Sequence, residues 1–90
     1  MEQIQYQVWF GNIPQTMWAE DVAEFLEWWG LPRPTAVKLC RKRCWAKDEI
    51  CGIATYATVD EADLTKRSQF DWPHGRYALI RRFVPQMPVH

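Results

Sequence analysis

Cys40, Cys44, Cys51 and His74 carry the chemistry of a metal site, since four thiolate and imidazole ligands suffice for structural zinc. Their spacing contains no Cys-x-x-Cys pair. Cys40 and Cys51 could face each other across a hairpin, and in a reducing compartment such thiols serve as small hydrophobes. No metal and no cofactor is expected. Catalysis is not expected either: His74 sits among turn residues and His90 is the last residue of the sequence, so neither histidine has an obvious nucleophile beside it. The loop Gly11-Asn12-Ile13-Pro14-Gln15, where an anion could be gripped, contains no Arg and loses an amide donor at Pro14.

The residue types favour binding instead. Eleven basic and eleven acidic residues cancel, but their placement is uneven. No Lys or Arg precedes Arg33, while Glu2, Glu20, Asp21, Glu24 and Glu27 do; Lys38, Arg41, Lys42, Arg43 and Lys47 then crowd one segment. A polarised surface follows if the fold separates these stretches. Among the six tryptophans, Trp28 lies off the main helical stripe, Trp45 near a hairpin tip and Trp72 in a turn. Exposed tryptophans are costly surface unless they meet a partner. These three, with Glu24 on an acidic helix, are candidates for a protein-binding surface.

The elements that must position these groups follow from periodicity. Ile4, Tyr6, Val8 and Phe10 alternate with Gln3, Gln5, Gln7 and Trp9, which predicts a strand over about 5–10 with one face buried. Gly11, Asn12 and Pro14 are expected to break it. Val22, Phe25, Leu26 and Trp29 recur at helical spacing, and Gly30 supplies a C-terminal cap. Val37 and Leu39 alternate with Lys38 and Cys40 as a second strand, Lys47 to Glu49 make a hairpin turn, and Ile50 to Thr58 return as a third strand. Asp60 to Ser68 is a short helix, with Thr58 and Glu61 resembling a capping box. Asp71, Pro73, His74 and Gly75 form a turn, and Arg76 to Val84 read as a fourth strand.

The order strand, helix, strand, strand, helix, strand predicts an α+β chain: a ferredoxin-like β-α-β-β-α-β sandwich, with a four-stranded antiparallel sheet and two helices on one face. Ninety residues suit a single domain, expected over 5–85 with a tail at 86–90. An odd cysteine count without a secretory leader suits an intracellular protein, and no apolar run approaches the ~20 residues of a membrane span.

Val8-Trp9-Phe10-Gly11-Asn12-Ile13 resembles the six-residue first-strand motif of the RNA recognition motif family. Pro14, Glu20-Asp21-Val22 and Phe25-Leu26-Glu27-Trp28-Trp29-Gly30 resemble that family's first loop and helix, and Gly52-Ile53-Ala54 and Gly75-Arg76 fall where it has comparable features. On the third strand the family places a basic residue, Gly and two aromatic residues; aligned on Gly52, this chain has Cys51 at the basic position and Ile53 and Thr55 at the aromatic ones.

The resemblance implies single-stranded RNA on the open sheet face, within a ribonucleoprotein. Strand phase places Trp9 there to stack a base, with Lys38, Lys42 and Arg81 for phosphates or base edges and Ile53 and Thr55 at the family's aromatic positions. An apolar tail, Phe83 to Val89, is an alternative cover for Trp9. The competing expectation is a protein-interaction module of the same fold.

Overall fold

A computed structural model describes residues 6–41 and 49–82. Lys42, Cys44, Trp45, the Lys47 end of the hairpin turn and the tail from Phe83 onward lie outside the described residues. Four strands form one antiparallel sheet: β1 (Gln7–Pro14), β2 (Ala36–Cys40), β3 (Glu49–Thr55) and, along its far edge, Leu79–Arg82. Helix α1 (Ala19–Trp29) joins β1 to β2, and α2 (Val59–Lys66) follows β3. A second, two-residue ladder pairs β4 (Asp71–Trp72) with β5 (Arg76–Tyr77) around a short helical turn at Pro73–Gly75, so the sheet's edge strand is β6. Spatial order across the main sheet is β2, β3, β1, β6.

β1 begins with the expected alternation, Val8 and Phe10 buried and Gln7 and Trp9 on the other face. It does not stop at Gly11. Pairing with β3 runs Phe10 to Gly52 and resumes at Ile13 to Ile50, leaving two residues on β1 opposite one on β3. That extra residue is a β-bulge. Asn12 occupies the left-handed region at φ 63°, which asparagine tolerates better than most residues, and its Nδ2 donates to Tyr77 O at 2.8 Å. The bulge resets the phase, so Ile13 turns inward and the strand continues to Pro14. The residues read as a strand break are thus a kink within a longer strand.

α1 buries Val22 and Leu26, one turn apart, against the sheet. Its start is fixed by Asp21, whose Oδ2 accepts the Trp18 N–H at 2.8 Å. Its end is fixed by Gly30 at φ 103°, where the Leu31 N–H reaches Leu26 O at 2.9 Å and Leu31 packs onto the core. α2 starts where Thr58 Oγ1 accepts the Glu61 N–H at 3.2 Å, and contributes Ala62 and Thr65.

The expectation of one strand over Arg76–Val84 is corrected. Ala78 turns into the core and donates its N–H to Phe70 O at 3.0 Å, which breaks the run between β5 and β6. Trp72 is corrected with it: not a surface ring, it is 1% exposed. The small β4–β5 ladder folds the turn inward, where Trp72 meets Phe70 edge-on at 5.0 Å and Phe10 at 5.7 Å. Its indole Nε1 donates to Gly11 O at 3.0 Å, within the bulge.

Tyr56, after β3, is 2% exposed, and among the described residues its hydroxyl has no hydrogen-bond partner. Thr65, a polar neighbour, commits its own hydroxyl proton to Glu61 O at 2.9 Å. Burial therefore dominates and pushes the phenol up to about 12, with the nearby Glu61 charge acting in the same direction. Among the described residues no helix is long and apolar enough to cross a membrane.

Candidate nucleic-acid interface

The register places four predicted residues on one row across the open face. Lys38 on β2 is opposite Ile53 on β3, Ile53 is opposite Trp9 on β1, and Trp9 is opposite Arg81 on β6. With strands about 4.8 Å apart, the row spans roughly 14 Å. A second row holds Ala36, Thr55 and Gln7, and Gln7 Nε2 donates to Thr55 Oγ1 at 3.2 Å. Alternation puts all of these on the side away from Val8 and Phe10, and hence away from both helices' buried residues.

Trp9 is half-buried, lying back along its own strand over Gly11. A Cβ on Gly11 would stand 2.6 Å from Trp9 Cη2, so only glycine lets the ring settle there. The Arg81 guanidinium stands over the indole, 5.9 Å from its centroid, within range of a cation–π contact. Lys38 and Arg81 are exposed at the ends of the row. The face therefore has an apolar centre of Trp9 and Ile53 between two cations.

Beside that row lies a depression of about 520 Å³, lined by Trp9, Lys38, Leu39, Cys40, Arg41, Cys51, Gly52 and Ile53. Five of these lining residues, Leu39, Cys40, Arg41, Cys51 and Gly52, were not among the predicted site residues. Cys40 and Cys51 are register partners, facing each other across β2 and β3 as the hairpin implied. Arg41 is braced: its guanidinium donates to Gln15 O at 2.8 Å and Met17 O at 2.5 Å and stands 4.5 Å from the Trp18 ring centroid. Strand parity could have identified Cys40, which shares the phase of Lys38. Gln7, sharing the phase of Trp9, was equally legible.

Among the described residues, no group of three or more His, Cys, Asp and Glu is disposed to hold a metal ion. Of the remaining predicted residues, Trp28 and Glu24 are exposed on α1, on the opposite side of the sheet from Trp9. Lys42 and Trp45 lie outside the described residues.

A half-buried indole with an aliphatic neighbour offers a partial stacking platform, and flanking Lys and Arg offer charge to a phosphate. No protein-family model matches the chain, and no curated protein matches it.

Proposed function

We propose that this chain is a divergent, ferredoxin-like domain of the RNA-recognition-motif type, binding single-stranded RNA on its open sheet face as part of a ribonucleoprotein. The observation that carries the reading is the row Lys38, Ile53, Trp9, Arg81, which aligns one ring and one aliphatic surface between two cations. The sheet order, with the first and third strands central and an edge strand on either side, is compatible with that fold.

In this reading Trp9 stacks one base, and Arg81, already over the indole, meets the adjoining phosphate. Lys38 holds a phosphate or base edge at the opposite end, with Lys42 extending the same basic segment. Ile53 packs against the base in place of a ring, and Thr55 with Gln7 supplies polar contacts. Each stacked base is worth about 1–3 kcal/mol, so an interface with one ring binds its ligand weakly compared with a three-ring platform. No base preference follows from such a surface, because edge contacts specify sequence.

The test is an amide NMR titration of the labelled chain with a randomised pool of short single-stranded RNA. Shifts centred on Trp9, Lys38, Ile53, Thr55 and Arg81, abolished in a folded Trp9→Ala variant, are the expected result. A silent sheet, or full affinity in Trp9→Ala, would refute the reading.

A further inference from the structure

Helix α1 turns two unlike sides to its surroundings. Val22 and Leu26 enter the core, whereas Glu20, Asp21, Glu24 and Glu27 are exposed and the helix has no basic residue. A chain of rings leads from the core to this outer side. Phe70, buried against Trp72, stands 5.9 Å from Phe25 and 5.8 Å from Trp29; Trp28 stands 5.8 Å from Phe25 and 5.9 Å from Trp29. Its last members face water, Trp28 at 75% exposure and Trp29 at 43%.

Rings held from beneath by other rings lose little conformational freedom when a ligand covers them, which is the condition for a preorganised contact. Trp28 follows Glu24 by four residues, one helical turn, on the same side of the helix. Arg33 occupies the neighbouring carboxylates, binding Glu20 at 3.2 Å and Glu27 at 3.0 Å. Among the described residues Glu24 has no ion pair.

We infer that the outer side of α1 is a docking site for a cationic segment of a protein partner, with an Arg or Lys side chain lying on the Trp28 ring and its charge directed to Glu24. Both groups attract the same ligand: the ring face through its quadrupole and the carboxylate through a charge-assisted hydrogen bond. A nucleic-acid backbone would bring its phosphates onto Glu20, Glu24 and Glu27. An uncharged apolar segment would desolvate Glu24 without pairing it. The site is distinct from the sheet face, since α1 packs on the side of Val8 and Phe10.

The experiment is calorimetric titration of the whole chain with a short Arg-Gly-Ser peptide and with the same peptide carrying citrulline for arginine. The arginine peptide binds, and the neutral one binds at least roughly tenfold more weakly. Trp28→Ala and Glu24→Gln each weaken the arginine peptide by roughly three- to tenfold while leaving the helical circular dichroism intact, and Trp9→Ala leaves it unchanged. Equal binding of the two peptides, or unaltered binding by Trp28→Ala and Glu24→Gln, would overturn the inference. So would an oligouridylate whose binding depends on Trp28, or a chain that associates with itself through Trp28 and ignores the peptide.

Discussion

Gly11→Ala tests how the open face is assembled. Gly11 does not adopt a positive φ, so alanine meets no backbone penalty there. The added methyl would sit 2.6 Å from Trp9 Cη2, 3.0 Å from Cζ3 and 3.4 Å from Leu79 Cβ. Carbon atoms prefer about 3.5–4.0 Å, so the far end of the indole must retreat by about 1 Å. Overpacking of a closed core costs about 1–3 kcal/mol, but a half-buried ring can swing toward solvent, and the stiffer unfolded chain returns about 0.4–1 kcal/mol. The net destabilisation is therefore below about 2 kcal/mol, and the fold survives. The ring's displacement, however, moves the surface on which a base would stack. RNA affinity falls roughly five- to hundredfold, the range of one stacking contact. Urea denaturation followed by circular dichroism gives the first quantity, and the shift of the Trp9 indole resonance with an RNA titration gives the second. Adding Trp9→Ala to the variant produces little further loss, because both changes remove the same contact. An unmoved indole resonance with unchanged affinity would refute the argument, as would a variant that does not fold.

Three further outcomes follow from the geometry. Tyr56→Phe removes a buried hydroxyl with no hydrogen-bond partner among the described residues, so urea denaturation at neutral pH shows a stability unchanged or raised by up to about 1–2 kcal/mol. Because the folded phenol is raised to about 12 from an ordinary value of 10.0, its contribution is complete below pH 10 and is lost as pH climbs toward 12. The wild-type denaturation midpoint therefore falls more steeply than that of Tyr56→Phe over this window; parallel profiles would contradict the burial argument. Trp72→Phe strands Gly11 O without its indole donor and costs about 1–3 kcal/mol, read from the urea midpoint, whereas a surface ring would cost almost nothing. Lys38→Ala and Arg81→Ala each reduce the slope of log affinity against log salt by about 0.7 in RNA titrations, the increment for one phosphate on a single strand; an unchanged slope removes that residue from the phosphate contacts.

The open face was legible because strand phase is a local property. Val8 and Phe10 committed Trp9 to the other side, and the same parity carried Lys38 and Arg81 there without knowledge of strand order. The C-terminal end of α1 was legible for a similar reason, since Gly30 acts within one turn of the residues it caps. Trp72 was not. A two-residue ladder has no period to detect, and the groups that draw the indole inward, Phe10, Phe70 and Gly11 O, are supplied by tertiary structure. The bulge escaped for the opposite reason: Gly11, Asn12 and Pro14 carry the composition of a break, and only pairing with β3 reveals that the strand passes through it. Cys40 and Cys51 were placed correctly across the hairpin, but the depression they line depends on side-chain volumes that parity does not supply.

The ring cluster is assembled from distant parts of the chain, and this sets an order on folding. β2 and β3 pair through nearby residues and need only a short closure, whereas β6 reaches β1 across some seventy positions, as in Leu79 to Gly11. During synthesis Phe10 and Phe25 emerge long before Phe70 and Trp72, the partners that cover them. A nascent chain ending before Phe70 thus exposes two rings and leaves Gly11 O without its indole. The interior around Phe10 and Phe25 is closed only once Phe70 and Trp72 have been made and folded against them.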